Sequence, residues 1–149
     1  DMIFHNKYLH ITDINEMGKF ALDNLEGWKD FAEKAKKGDI LFVGANFGSG
    51  SSRQQAVDCF IALGVQAIIA QSFGAIYSRN AINVGMPLLM VEKGLDAPFV
   101  ETGDEIELNL ATGAISNKSK NKALQTKGLS KVQMDIYQAG NLFAFAKNL

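Results

Sequence analysis

A chain of 149 residues with 47% apolar and 21% charged residues has the composition of one globular domain with a substantial core. Its formal net charge of −1 gives no broad positive field for nucleic acid or for a membrane surface, and no apolar run is long enough to span a bilayer. The single cysteine, Cys59, excludes an internal disulfide and cannot hold an iron–sulfur cluster alone. We therefore expect a cytoplasmic protein that binds neither nucleic acid nor membrane. The chain begins at Asp1 rather than Met, so the numbered start need not be the natural one.

The first third of the chain is predicted to be irregular and then helical. Residues 1–12 show neither a helical nor an alternating pattern. The segment DINE at 13–16 resembles a capping box, and the apolar spacing after it predicts a helix over 14–25 that Gly27 ends. A second short helix is predicted over 28–36, with lysines in its last turn.

The middle of the chain alternates between apolar strands and helices. This order predicts a parallel three-stranded core covered by helices. We expect Gly64 to close the first helix, and Ser72 and Gly85 to cap the two ends of the second. The predicted elements are strands at 39–45, 65–70 and 86–91 and helices at 52–63 and 72–85.

The last third is more polar and its apolar runs are shorter. The segments DEIELNL, GAISNK and KALQTKG alternate in polarity and are separated by turns, so they predict a small antiparallel meander. A closing helix is predicted over 130–138, with Gly140 after it. The sequence has no internal repeat and no domain boundary, and we predict one α/β domain over 1–149.

A glycine-rich loop, GANFGSGSSRQQAV at 44–57, joins the first strand to the first core helix. It is not a Walker loop, because no lysine follows Gly50. It is not the dinucleotide fingerprint either, because Gly48 and Gly50 supply two of its three glycines and Arg53 stands at the third position. A nucleotide-binding domain is therefore disfavoured.

Two explanations of this loop stay open on physical grounds. A tight strand-to-helix turn accounts for Gly48, Gly50 and one serine cap. It does not require a second serine or Arg53, since a cation is disfavoured at a helix N-terminus. An anion site, with helix N–H groups, serine hydroxyls and the Arg53 guanidinium as donors, accounts for all of these residues.

Three spaced motifs run through the chain. They are Asn-Phe-Gly-x-Gly-Ser-Ser-Arg at 46–53, Ser-Phe-x-x-Ile-aromatic-x-Arg-Asn at 72–80 and Asn-x-Gly at 83–85. Together with the opening segment DMIFHNKYL, they resemble the small, swivelling subunits of the isopropylmalate isomerase and homoaconitase branch of the aconitase superfamily. The resemblance covers nearly the whole chain and implies an aconitase-type swivelling β/β/α domain. Ser49 departs from the pattern, since many small subunits carry cysteine there and aconitases often carry glutamine.

The resemblance also implies that the chain is one subunit of a larger enzyme. Small subunits of this family pair with a large subunit that holds a [4Fe–4S] cluster, one iron of which is a Lewis acid for the leaving hydroxyl. The pair moves a hydroxyl group to the neighbouring carbon of a hydroxy acid by dehydration and rehydration. We therefore expect a hydro-lyase subunit with no metal ligands of its own, active only with its partner. The expected reaction converts 2-isopropylmalate to 3-isopropylmalate in leucine biosynthesis, with homoaconitase and dimethylmalate dehydratase as the alternatives.

The same resemblance gives roles to the loop residues. Ser51 matches the catalytic base, which takes the proton alpha to a carboxylate; its alkoxide needs N–H groups, a helix N-terminus and a cation nearby. Arg53 matches the residue that holds a substrate carboxylate by two parallel hydrogen bonds, and it can also serve as that cation. Ser52 either donates to the same carboxylate or caps the helix. Gly48 and Gly50 shape the loop.

Substrate choice is expected to depend on the segment YLHIT at 8–12, which matches the recognition segment of this branch. An arginine after Tyr-Leu would suit a second carboxylate, as in homoaconitase. Leu9 and Ile11 instead favour an apolar branch, as in isopropylmalate or a methylated malate, while His10 can meet a carboxylate when protonated. A plain surface loop is the alternative.

A function of another class is also compatible with these residues. A stand-alone anion-binding regulatory module would use the same loop without catalysis. A cysteine-bearing large subunit encoded in a neighbouring reading frame would favour the enzyme over this module.

Overall fold

Two three-stranded sheets and five helices make up the part of the chain that the computed structural model describes, which is residues 3–4, 6–8, 10–22, 27–49, 54–91, 99–140 and 146. Short 3-10 turns at Asn6–Tyr8 and Gly18–Phe20 accompany them. The helices are α1 (Ile14–Met17), α2 (Phe31–Lys34), α3 (Gln55–Ala62), α4 (Ala75–Asn83) and α5 (Lys131–Ala139). The strands are β1 (Ile40–Val43), β2 (Ala67–Ala70), β3 (Leu88–Met90), β4 (Ile106–Leu108), β5 (Ala114–Asn117) and β6 (Lys122–Gln125).

The first sheet is parallel, with the strand order β1-β2-β3. Its strands are short uncharged runs, and α3 and α4 make the two crossovers that parallel neighbours require. Positive φ angles at Gly64 (78°) and Gly85 (80°) turn the chain after each crossover helix, a conformation that glycine adopts at little cost. The predicted parallel core and both glycine stops are therefore confirmed.

Both faces of the parallel sheet are covered. On β2, Ile68 lies in a core with α1, α3 and α4, whereas Ile69 lies in a second core with Ile115 of β5, and both isoleucines are fully buried. Because alternate residues of a strand point to opposite faces, the molecule has a helical layer, a parallel sheet and an antiparallel sheet in succession. The expected β/β/α arrangement is confirmed.

The antiparallel sheet has the order β4-β5-β6 and matches the predicted meander. The closing helix α5 also forms where it was predicted. Its N-cap Ser130 and Gln133 make a reciprocal capping box, and Gly140 with a φ of 104° ends it. None of the described helices has the length and apolarity that crossing a membrane requires.

The first two helices are shorter than the sequence predicts. The helix expected over 14–25 ends at Met17, continues as the 3-10 turn through Phe20, and then turns at Leu22, whose φ is 59°. This bend lets the Leu22 N–H donate to the carbonyl oxygen of Ile3 at 2.7 Å. The helix expected over 28–36 is reduced to α2. The turn at Leu22 makes a contact with a distant segment that local apolar spacing does not record, and residues 23–25 of the expected helix lie outside the described residues.

Candidate active site

Two turns lie side by side at the carboxyl edge of the parallel sheet. The turn at 46–48 follows β1, and the turn at 72–74 follows β2. The Phe47 N–H donates to the Ser72 carbonyl oxygen at 3.0 Å, and the Gly74 N–H donates to the Phe47 carbonyl oxygen at 2.9 Å. Ligands of open α/β sheets bind beyond this edge, so the turns form the floor of the candidate site.

The first turn contains one more residue than the second. Val43 pairs with Ala70 in the sheet, and the next pairing along the chain is Phe47 with Phe73. Three residues lie between these pairings on the first segment and two on the second, which is the geometry of a bulge. Asn46 takes the left-handed conformation with a φ of 54°, as bulges and tight turns often need. A bulge of this kind bends the chain, and here it comes directly before Gly48 and Ser49.

Ser72 holds the bulge in place. Its Oγ accepts a hydrogen bond from the Asn46 N–H at 2.7 Å and lies 3.5 Å from the Asn46 Oδ1. The prediction that Ser72 caps α4 is therefore wrong, because the N-cap of α4 is Gly74, without a side-chain cap. A serine just before a helix is the usual cap signal, and the bond to a residue 26 positions away leaves no local trace.

Close approaches leave room only for glycine at one position in each turn. Gly48 has a φ of 80°, and a methyl group there would overlap the ring of Tyr77. A methyl group at Gly74 would lie 2.7 Å from the Ser49 Cα. The loop role predicted for Gly48 thus has a concrete cause, which is a close approach of backbone to an aromatic ring.

Tyr77 contacts both flanks of the serine-arginine segment. Its ring lies against Gly48, which precedes the segment, and its hydroxyl donates to the Ala56 carbonyl oxygen at 2.9 Å, which follows it. Phe47 packs edge to face on the same ring, with centroids 5.5 Å apart. The side chain is 1% exposed, and this burial raises the pKa of Tyr77 well above its usual value, so the hydroxyl remains a donor at neutral pH.

The residues with the predicted chemical roles follow Ser49 and precede Gln54 in the sequence. Gly50, Ser51, Ser52 and Arg53 are outside the described residues, so their roles stay predictions. Sequence reasoning identified this segment but missed the residues that support it: Asn46, Phe47, Ser72, Gly74 and Tyr77. The available signal was the pair of similar tripeptides, Asn-Phe-Gly and Ser-Phe-Gly, each placed just after a parallel strand.

The first turns of α3 carry two buried groups. Asp58 is 8% exposed and accepts a hydrogen bond from the Gln54 Nε2 at 3.1 Å. Burial raises the pKa of Asp58, and the bond from Gln54 opposes that shift. Cys59 is fully buried, which raises the pKa of its thiol and keeps it protonated, so its predicted role as a small apolar core residue is confirmed.

The predicted recognition segment is described only in part. Leu9 lies outside the described residues. His10 is exposed, with its Nδ1 3.1 Å from the Lys7 carbonyl oxygen. Ile11 is half-buried and packs against the helical core, as Tyr8 does. The role of Leu9, His10 and Ile11 in substrate choice stays a prediction.

The residues of this chain do not fit an iron–sulfur cluster. Such clusters take several cysteine thiolates, and the one cysteine in the sequence is the fully buried Cys59. Within the described ranges, no three His, Cys, Asp or Glu side chains come together as a metal site. If a cluster takes part in the reaction, its ligands come from elsewhere.

Comparison with known proteins agrees with this geometry. The aconitase C-terminal domain family matches residues 4–93. The chain is 43% identical over 147 residues to the 3-isopropylmalate dehydratase small subunit of Caldicellulosiruptor saccharolyticus, covering 99% of this chain and 83% of that protein. It is 40% identical to the isopropylmalate/citramalate isomerase small subunit of Methanocaldococcus jannaschii, covering 99% and 85%.

A solved structure extends the match beyond the family region. The crystal structure of 3-isopropylmalate dehydratase (LeuD) from Methanocaldococcus jannaschii superposes with a TM-score of 0.89 at 34% identity, covering 99% of this chain and 85% of that one. The antiparallel sheet and α5, which follow residue 93, are therefore part of the shared fold. The resemblance seen in the motifs is confirmed, and the chain belongs to the aconitase C-terminal domain family, among the 3-isopropylmalate dehydratase small subunits.

Proposed function

We propose that this chain is the small subunit of a heteromeric hydro-lyase that converts 2-isopropylmalate to 3-isopropylmalate in leucine biosynthesis. One observation carries the proposal: Tyr77 and the paired turns fix both flanks of Gly50-Ser51-Ser52-Arg53 at the ligand-binding edge of a parallel sheet. Relatives over the whole chain carry the name of this enzyme. The proposal also places the chain in the cytoplasm and treats 1–149 as one domain.

Ser51 is the proposed base. It removes the proton alpha to a substrate carboxylate, the electron pair left on carbon forms a double bond, and the hydroxyl of the neighbouring carbon leaves with a proton as water. Water then adds back across the double bond with its hydroxyl on the alpha carbon and its proton on the neighbouring carbon. A serine hydroxyl is far too weak an acid to ionise unaided, so the alkoxide needs a site with N–H groups, the N-terminal end of α3 and a cation. Arg53 is the proposed carboxylate ligand, and Ser52 donates to the same carboxylate or caps α3.

A second subunit is needed because this chain does not supply cluster ligands. We propose that a large subunit holds the [4Fe–4S] cluster that membership of the aconitase family suggests. The partner is also implied by the words "small subunit" in the names of the relatives. Substrate binds between the two chains, with its carboxylate on Arg53 and its alpha carbon against Ser51.

The substrate is proposed to carry an apolar branch. Leu9 and Ile11 would contact that branch, and His10 stands where an arginine would favour a second carboxylate. A methylated malate is a second candidate, because one relative is named an isopropylmalate/citramalate isomerase small subunit. Activity on 2-isopropylmalate and citramalate in parallel assays, with homocitrate as the control, distinguishes these possibilities.

The test is reconstitution with the cysteine-bearing large subunit, followed by an assay of Ser51→Ala and Ser49→Ala. The control Ser49→Ala alters a hydroxyl two residues away in the same loop and should leave activity near that of the native protein. Ser51→Ala should abolish turnover with little change in substrate affinity, because a base acts mainly in the transition state. A Ser51→Ala enzyme within about tenfold of the native kcat, or about 1.4 kcal/mol, would contradict the assignment.

Arg53→Lys tests the carboxylate contact. Lysine keeps the charge and loses the planar pair of donors. We expect KM to rise and kcat to fall, with a combined loss in kcat/KM of about 2–4 kcal/mol, as for truncation of a buried charged pair. Steady-state kinetics of the reconstituted complex measure this loss. A near-native kcat/KM would show that the glycines and serines hold the anion without a bidentate arginine.

A further inference from the structure

The bend that follows α1 holds the opening segment of the chain at two points. The Leu22 N–H donates to the Ile3 carbonyl oxygen at 2.7 Å, and Leu22 has a left-handed φ of 59°. The Phe20 ring stacks on the Tyr8 ring, with centroids 4.0 Å apart and an angle of 19° between the ring planes. Two residues of one bend therefore fix the positions of Ile3 and Tyr8.

Tyr8 is also the first residue of the predicted recognition segment at 8–12. Its carbonyl oxygen accepts a hydrogen bond from the Ile11 N–H at 3.0 Å, which closes a turn over 8–11. His10 lies in this turn, with its Nδ1 3.1 Å from the Lys7 carbonyl oxygen. A displacement of Tyr8 therefore also displaces the residues that are predicted to meet the variable group of the substrate.

Phe20 connects this turn to the helical layer. Phe4 also contacts the Tyr8 ring, but only edge to face with centroids 6.0 Å apart, so Phe20 makes the closer contact. Phe20 and Tyr8 are both half-buried and pack against the helical core. Phe20 belongs to the same 3-10 turn as Gly18, where an added methyl group would lie 3.1 Å from the Ala62 Cβ of α3. The bend therefore packs on α3, and the Phe20 ring links the recognition segment to that helix.

We propose that Phe20 is a positioning residue for substrate choice: its ring fixes Tyr8, and Tyr8 fixes the turn over 8–11 against the apolar branch of the substrate. This inference rests on the proposed function, in which that turn meets the branch. A hydrophobic pocket distinguishes ligands that differ by one methylene by about 10–200-fold. The isopropyl branch has more carbon atoms than the methyl branch of citramalate and more contacts to lose. A turn that is free to move should therefore lose preference for the larger branch.

The test measures kcat and KM on 2-isopropylmalate and on citramalate, with the native chain, Phe20→Leu and Phe31→Leu each reconstituted with the large subunit. Phe31→Leu is the matched control, because Phe31 is a ring of the same helical core whose described ring contacts are with Trp28 and Phe60. Circular dichroism and thermal melting set the temperature at which each variant is folded. If Phe20→Leu does not fold, Phe20→Met, which is apolar but has no flat face, replaces it.

For Phe20→Leu we expect KM for 2-isopropylmalate to rise about tenfold, while kcat on both substrates and KM for citramalate stay within about twofold. The ratio of the two kcat/KM values then falls about tenfold. Phe31→Leu should lower the Tm and keep the native ratio, and Phe20→Tyr, which keeps the flat ring, should also keep it. Adding Phe20→Leu to Tyr8→Leu should change the ratio little further, because the two side chains act through one contact.

Each contrary result identifies what fails. If the native complex does not act on 2-isopropylmalate, the proposed function fails and the inference fails with it. If the native complex is active and Phe20→Leu changes both KM values equally, or if Phe31→Leu lowers the ratio as much, Phe20 only supports the fold. The inference is then overturned and the proposed function stands. If the effects of Phe20→Leu and Tyr8→Leu on the ratio simply add, Phe20 does not act through Tyr8, which also overturns the inference.

Discussion

The two sheets of this molecule are stabilised by different means. Around the parallel sheet, the turns at 46–48 and 72–74 are held by main-chain hydrogen bonds, by the Ser72 hydroxyl on the Asn46 N–H, and by Gly48 and the Phe47 edge packed against the Tyr77 ring. In the antiparallel sheet, polar side chains bind the backbone of the turns. The Asn109 Oδ1 accepts from two N–H groups at 3.0 Å each, and the buried Asn117 amide donates to the Phe99 carbonyl oxygen at 2.6 Å.

This difference separates the region next to the proposed catalytic segment from the region that supports the parallel sheet. Polar turns facing water tolerate exchange of side chains, although Gly113 and Gly128 abut backbone atoms. The exposed pair Lys118 and Glu107, 2.7 Å apart, contributes little to stability. A close-packed turn does not tolerate exchange of side chains, because it has no free space for a larger group. A substitution there therefore shifts the neighbouring residues as well. Substitutions should therefore affect activity near the parallel sheet and only stability, if anything, in the antiparallel one.

The largest effect is expected for Gly48→Ala. The substitution combines about 1–2 kcal/mol of strain at a positive φ with about 1–3 kcal/mol of overlap against Tyr77. We expect a loss of about 2–5 kcal/mol in the free energy of unfolding, and loss of most activity in the reconstituted enzyme. Denaturant titration and kinetics at a temperature where the variant stays folded measure the two effects separately.

Gly103→Ala is the matched control in the other region. Gly103 also has a positive φ, 96°, but an added methyl group would meet no atom within 4 Å. Gly103→Ala should therefore lower the free energy of unfolding only by the backbone strain, about 1–2 kcal/mol, and leave kcat at its native value. Equal effects on activity at both positions would mean that the paired turns have no special role in catalysis.

Tyr77→Phe should have a smaller and more selective effect. It removes one hydroxyl and leaves the ring against Gly48, so the lost bond to Ala56 costs about 0.5–1.5 kcal/mol of stability. Because that bond fixes one flank of 50–53, we expect kcat to fall about tenfold with KM nearly unchanged. Tyr137→Phe on α5 is the control and should leave both constants native. A fall in stability with native kcat would show that the hydroxyl supports the fold alone.

Sequence patterns predicted the layers of this fold well, for identifiable reasons. The strands of the parallel sheet are apolar runs, Gly64 and Gly85 follow the two crossover helices, and α5 has both a complete capping box and a C-terminal glycine. The same patterns failed where a distant residue decides the local structure. Leu22 turns to reach Ile3, and Ser72 binds Asn46 instead of its own helix. Family motifs pointed to residues 50–53 as the catalytic segment, which stays a prediction, but only the structure revealed that Tyr77 contacts Gly48 and Ala56 on either side of it.

The smallest expected effect is electrostatic. Replacing an aspartate by asparagine should change the Tm in opposite directions in the two regions. Burial raises the pKa of Asp58 above its ordinary value, so the folded state holds a proton more tightly than the unfolded state. The free energy of unfolding therefore falls as pH rises from the ordinary Asp pKa through the raised pKa of Asp58, because the charged form is disfavoured in the fold. Asp58→Asn should then raise the Tm at pH 7, and the gain should disappear as pH falls below about 3.8, the ordinary Asp value.

Asp104 in the antiparallel region gives the opposite expectation. The hydrogen bond from Asn117 lowers the pKa of Asp104, so the charged form stabilises the fold above the ordinary pKa and this contribution is lost as pH falls through the lowered value. Asp104→Asn should lower the Tm at pH 7 and match the native Tm in acid. Thermal melts of both variants from pH 3 to 7 test the pair. Shifts of the same sign would show that burial of Asp58 near the catalytic segment does not disfavour its charge.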